Sequence, residues 1–169
     1  MMKRIQFVRR TLLVSIATLP FAVGLVHGHT YKAEGLKVDH PYALPTPSGE
    51  QNSVVYFRSF ENIGKTADVL IGARADVTER VEIRRSGSGA SVGEDLVVKE
   101  VNLPGGKGLA FRHDAESGYH LFLAKLTAPL KNGDRFPVWL TFRHAGEMKV
   151  MVWVQTPRGT QVPQHDHKH

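Results

Sequence analysis

Apolar positions in this chain form one continuous run near the start, residues 11–26, and after it only short alternating or β-branched runs parted by turn residues. Beyond the first run no long stretch repeats with a helical period, so the pattern predicts an all-β chain. The expected strands cover residues 36–38, 53–61, 68–74, 80–85, 96–103, 108–112, 119–126, 135–143 and 148–155. Between them stand turn-forming residues: Pro45-Thr46-Pro47-Ser48-Gly49, Asn62-Ile63-Gly64, Ser86-Gly87-Ser88-Gly89, Pro104-Gly105-Gly106, Lys131-Asn132-Gly133-Asp134 and Ala145-Gly146. Eight or nine such strands imply a β-sandwich or barrel. Val138-Trp139-Leu140-Thr141-Phe142 and Val150-Met151-Val152-Trp153-Val154 read as a closing hairpin, with Trp139 and Trp153 as core or face-packing aromatics. Residues 156–169 lose all periodicity and read as a flexible tail.

The first run has a different meaning. Lys3, Arg4, Arg9 and Arg10 precede it with no acid among them, it is shorter than a membrane span, and Pro20 interrupts it. These are the marks of a secretory signal ending at Val26-His27-Gly28, which predicts a signal peptide over 1–28, a domain over 29–155 and a tail over 156–169. Export to the periplasm follows, with no membrane span after cleavage and His29 as the first residue. Removing four positive charges lowers the formal net charge from +6 to about +2. No basic face interleaved with aromatics remains, so nucleic acid is not an expected partner. The chain has no cysteine, so its stability comes from packing alone and any metal is held by nitrogen, oxygen or thioether.

No Gly-x-Ser-x-Gly elbow, Walker loop or His-Glu-x-x-His helix is present, and the chain is not expected to be an enzyme. The glycine-rich stretch 86–93 follows a strand with no helix to receive a phosphate, and reads as a loop tip. The histidines carry the metal chemistry. His165, His167 and His169 alternate at the C-terminus around Asp166, where a pliable chain can wrap imidazoles and a carboxylate about one ion. His29, once N-terminal, offers its α-amine and ring together to Cu(II). His40, His113 and His144 read as surface or capping residues. His120 opens the apolar strand Leu121-Phe122-Leu123 at a sandwich rim and is the candidate inside the domain.

Several segments carry a resemblance in order and spacing: His40-Pro41-Tyr42-Ala43, Asn62-Ile63-Gly64, Arg80-Val81-Glu82-Ile83, Leu103-Pro104-Gly105-Gly106, Gly118-Tyr119-His120-Leu121, Pro129-Leu130-Lys131-Asn132-Gly133-Asp134 and Leu140-Thr141-Phe142. Over nearly all of the domain the chain resembles the periplasmic copper chaperones called PCu(A)C. The resemblance implies a cupredoxin-like Greek-key β-sandwich, copper as ligand, and delivery towards cytochrome c oxidase through an assembly factor or subunit. It also implies a Cu(I) site of two histidines and methionines, which this sequence keeps only at His120. Arg84 stands where the first histidine belongs, residues 96–98 are aliphatic where a methionine belongs, and Phe122 replaces the methionine of His-x-Met. Met148 and Met151 fall in the final hairpin, away from that rim.

The leading expectation is therefore a periplasmic copper-binding, chaperone-like protein whose capacity has moved to terminal histidines. The metal residues are His120, His165, His167, His169 and His29, favouring Cu(II) on nitrogen over Cu(I) on sulfur. The alternative is a metal-free protein-interaction module that meets an acidic partner through Arg84 and Arg85. A third reading makes His29 and another histidine a mononuclear copper oxidase site.

Overall fold

The computed structural model describes residues 30–86, 95–113, 115 and 117–156. The expected signal peptide, His29, most of the glycine-rich stretch and His165, His167 and His169 lie outside the described residues. Eleven strands follow in chain order: β1 (Thr30–Ala33), β2 (Leu36–Ala43), β3 (Ser53–Asn62), β4 (Asp68–Ala75), β5 (Thr78–Ser86), β6 (Leu96–Val97), β7 (Val101–Leu103), β8 (Lys107–Leu109), β9 (Gly118–Leu126), β10 (Arg135–Phe142) and β11 (Gly146–Val154). The all-β expectation holds.

Alternation creates the two faces of the sheet. Phe136, Val138, Leu140 and Phe142 of β10 are buried, as are Met148, Val150, Val152 and Val154 of β11, while the residues between them face outward. The hairpin pairs Val138 with Val150 and Phe142 with Gly146, whose positive φ of 74° suits the turn.

Nine strands lie along one path, β6-β5-β9-β3-β2-β11-β10-β4-β7, with β1 on β2 and β8 on β3. β4 is eighth in this path and β5 second, yet only Asp76 and Val77 join them. So short a link forces the sheet to curl until its two ends approach, which encloses the core. At its centre Phe57, Phe60 and Phe111 pack with ring centroids 5.0–5.6 Å apart, surrounded by Leu70, Leu121, Leu123 and Leu140. This is the cupredoxin-like β fold implied by the resemblance.

The structure departs from the expected strands most in three places, while the expected strand 108–112 is shortened to Lys107–Leu109. β1 was absent from the alternation pattern, because four residues without a large aliphatic run give too little signal. The expected strand 96–103 is two strands, since β6 pairs with β5 near one end of the path and β7 with β4 at the other, and residues 98–100 cross between them. The expected strand 36–38 runs on to Ala43 through His40, which sits at φ 47°. His40, expected as a surface or capping residue, is therefore inside a strand. Asp39 pairs with Ser59 and Pro41 with Phe57, leaving His40 as the residue where the alternation changes phase. Its left-handed backbone lets both Val38 and Pro41 point inward despite their odd spacing.

Candidate functional site

One cross-strand row runs over the outward face. β5 meets β9 as Arg84 opposite His120 and Glu82 opposite Phe122; β6 adds Val97 opposite Arg84; β2 meets β3 as Tyr42 opposite Tyr56; and β11 sets Trp153 beside Tyr42. Tyr56 follows the Val55–Leu121 pair, which brings its ring within 5.8 Å of the His120 ring. The positions where the resemblance expects metal ligands are thus neighbours in space.

The side chains there do other chemistry. Arg84 lies with its guanidinium carbon 3.6 Å from the centre of the Phe122 ring, while its Nε and an Nη both donate to one Glu82 oxygen at 2.9 and 2.7 Å. Glu82 also pairs with Arg80 at 2.6 Å. The Arg84 hydrogen bond and the two positive charges hold the Glu82 carboxyl below its ordinary value against a smaller effect of burial. A guanidinium has no lone pair to coordinate a cation. Leu96 and Val97 are exposed and aliphatic.

His120 is not at an open rim. It is 3% exposed, with Nε2 3.3 Å from an Asp95 carboxylate oxygen and Nδ1 3.5 Å from the Ser86 hydroxyl. The Ser86 hydroxyl also donates to the other Asp95 oxygen at 3.0 Å. Burial pushes the His120 pKa below the ordinary histidine value; Asp95 opposes this and Arg84 adds to it. The arrangement makes His120 a neutral, pinned imidazole that ties β9 to the residues leading into β6.

Beside it lies a phenol and imidazole cluster that the sequence did not single out. The Tyr42 hydroxyl is 2.6 Å from His113 Nδ1, and the Tyr42 and Tyr56 rings are 5.7 Å apart. Burial, then Tyr42 and Asp95, push the Tyr56 phenol up to about 12. The register between β2 and β3 brings the two tyrosines together, and the chain after β8, held by the Phe57 amide on the Phe111 carbonyl at 2.9 Å, brings in His113. His40 approaches from the Tyr42 side, its ring centroid 6.3 Å away, and its Nε2 is 3.1 Å from the Gln155 amide nitrogen. His144 is exposed and serves through its backbone, which donates to Asp68 at 3.0 Å. Among the described residues no group of three or more histidine or acidic side chains is placed to hold a metal ion.

The segments that carried the resemblance prove to be architectural. Asn62 is buried, donates to the Thr66 and Leu103 carbonyls at 2.8 and 2.9 Å, and accepts from the Gly64 amide at 3.0 Å. A Cβ at Gly118 would stand 2.7 Å from the Ala110 carbonyl oxygen, so only glycine lets β9 start there. Residues of these segments hold the fold, while the positions where the resemblance expects ligands carry Arg84 and Phe122.

The apo PCuAC domain from PmoF1 is 25% identical, covers 76% of this chain and 100% of that domain, and superposes with a TM-score of 0.64. The copper-bound PCuAC domain from PmoF2 is 21% identical, covering 76% and 99%, at a TM-score of 0.63. The Cu(I) form of DR1885 from Deinococcus radiodurans is 22% identical, covering 73% and 81%, at 0.55. No curated protein matches the sequence. The profile of the LpqE-like family, whose description names a lipoprotein, matches residues 36–154. The chain accordingly belongs to the LpqE-like family and has a PCuAC-type domain.

Proposed function

We propose that this chain is an exported, chaperone-like copper-binding protein that holds Cu(II) through nitrogen donors at its N-terminal edge. Copper on the PCuAC domain from PmoF2 and on DR1885 supports the metal, and the lipoprotein description of the family supports export. No described helix is long and apolar enough to cross a membrane.

The observation that carries the reading is the β1–β2 register. Thr30, the first described residue of β1, pairs with Asp39, the residue before His40, so the start of β1 lies beside the part of β2 that carries His40. Cleavage after Gly28 gives His29 a free α-amine beside its imidazole, and in this reading His40 supplies a third nitrogen. Three nitrogens in a plane suit Cu(II). The tail residues His165, His167 and His169 supply a second, weaker set, and His120 stays with Asp95. The Arg84 and Phe122 packing leaves Cu(I) without its sulfur ligand, which supports the preference for Cu(II). Delivery of copper towards cytochrome c oxidase is part of this proposal.

Cu(II) titration followed by EPR tests it on four proteins: the chain beginning at His29, the same chain with a Gly-Ser extension before His29, His40→Ala, and the chain lacking residues 164–169. The extension and His40→Ala should each remove the tightest Cu(II) equivalent, and loss of residues 164–169 should remove only weaker binding. Full retention of the tight equivalent after extension overturns the proposal.

A further inference from the structure

The β10–β11 register sets three outward rows side by side: Trp139 opposite Lys149, Pro137 opposite Met151 and Arg135 opposite Trp153. β4 extends the first row with Arg74. Trp139 and Arg135 are four residues apart on β10, so at ~3.4 Å per residue the two tryptophan rows are about 14 Å apart with Met151 and Pro137 between them. Met151 and Trp153 are 37% and 36% exposed.

Each tryptophan has a cation over its ring. Arg74 lies 4.0 Å and Lys149 5.1 Å from the Trp139 centre, and Arg135 lies 5.0 Å from that of Trp153. Among the outward positions of the hairpin the one acid is Glu147, which Arg74 engages at 3.1 Å. Arg135 and Lys149 therefore leave the face with an excess of positive charge.

We propose that this face docks reversibly on a bilayer surface containing anionic phospholipid. A cation over each ring competes with a sugar or a base for stacking there. The rings offer their apolar edges, with Met151 between them, and cations standing above them. That combination matches the headgroup level of a bilayer, where indoles settle and guanidinium and ammonium groups meet phosphate. A sheet face of three hydrogen-bonded strands presents these groups without ordering a flexible segment on contact. The copper-binding proposal is independent of this one.

The test is co-sedimentation of the chain beginning at His29 with vesicles of phosphatidylcholine plus phosphatidylglycerol, and with phosphatidylcholine alone, at low and high salt. The protein should pellet with the anionic vesicles only and be released by salt. Lys149→Glu and Arg135→Glu should each weaken binding by fivefold or more, from about fivefold per surface cation. Trp153→Ala should weaken it further, whereas Arg80→Glu, on β5, should not. Equal pelleting with both vesicles, none with either, or charge variants that bind as the parent does overturns the proposal. Capture by polyglutamate without vesicle binding also overturns it, assigning the face to an acidic protein.

Discussion

Arg84 stacks on Phe122 across neighbouring strands, with 3.6 Å between the guanidinium carbon and the ring centre. Two of the three places where the sequence departs from the PCu(A)C pattern are thus one packed pair, and the second guanidinium contact, to Glu82, completes it. The double substitution Arg84→His with Phe122→Met should create Cu(I) binding with His120 as the third ligand. Competition against a chromophoric Cu(I) chelator should show one added equivalent, absent from either single variant. No gain in the double variant would mean that the Asp95 contact, rather than Arg84, keeps His120 from metal.

His120 gives the fold a pH dependence whose sign is fixed by burial. Its folded pKa is lowered, so below about pH 6.5 the unfolded chain takes up a proton that the folded chain resists. Stability from this group is present above the unfolded pKa and is lost as pH falls towards the folded value. Urea unfolding at pH 7.5 and 5.5 should show a smaller pH effect for His120→Gln than for the parent. Equal pH effects in both would remove His120 as the cause.

Asp68 holds the β10–β11 turn from β4. It accepts from the Val69 and His144 amides at 2.7 and 3.0 Å and from Ala145 at 2.9 Å. Burial alone would raise its carboxyl, and the three amide donors together outweigh that and lower it. Asp68→Ala strands those donors and should cost about 3 kcal/mol in denaturant unfolding. The contribution is present above the unfolded pKa of about 4 and fades as pH falls through the lowered folded value.

Tyrosinate absorbance reads the cluster beside His120 directly. Tyr56 should ionise at about 12, and Tyr56→Phe should delete that late phase. A raised phenol pKa contributes stability below 10 that is lost as pH climbs through the folded value. A titration in which all four tyrosines ionise together near 10 would contradict the packing of this cluster.

Gln155 meets His40 at 3.1 Å and orients its ring. With the amide turned so that its oxygen accepts from Nε2–H, Nδ1 is left to coordinate. Gln155→Leu should weaken the tight Cu(II) equivalent by about tenfold or more, without changing the melting temperature much. Unaltered affinity would show that His40 needs no such partner.

The closing hairpin was legible because Phe136, Val138, Leu140 and Phe142 alternate strictly with outward residues. Asn62, Gly105 and Gly118 were legible as motif residues, because a buried amide and two close backbone approaches admit no other side chain there. The Asp95–His120 contact was hidden, since 25 positions separate the two and it takes both the β5–β6 and the β5–β9 pairing to bring them together. The Tyr42–Tyr56–His113 cluster was hidden for the same reason.

By itself, the sequence determined the all-β class and most strand positions, because alternation and turn residues act locally, and its motifs pointed to the family. Only the tertiary structure decided that Arg84 and Phe122 pack on each other, that His120 is buried against Asp95, and that Thr30 of β1 pairs with Asp39 next to His40. Each of these depends on register between strands far apart in sequence, and register is set by how the two faces of the curled sheet fill the core.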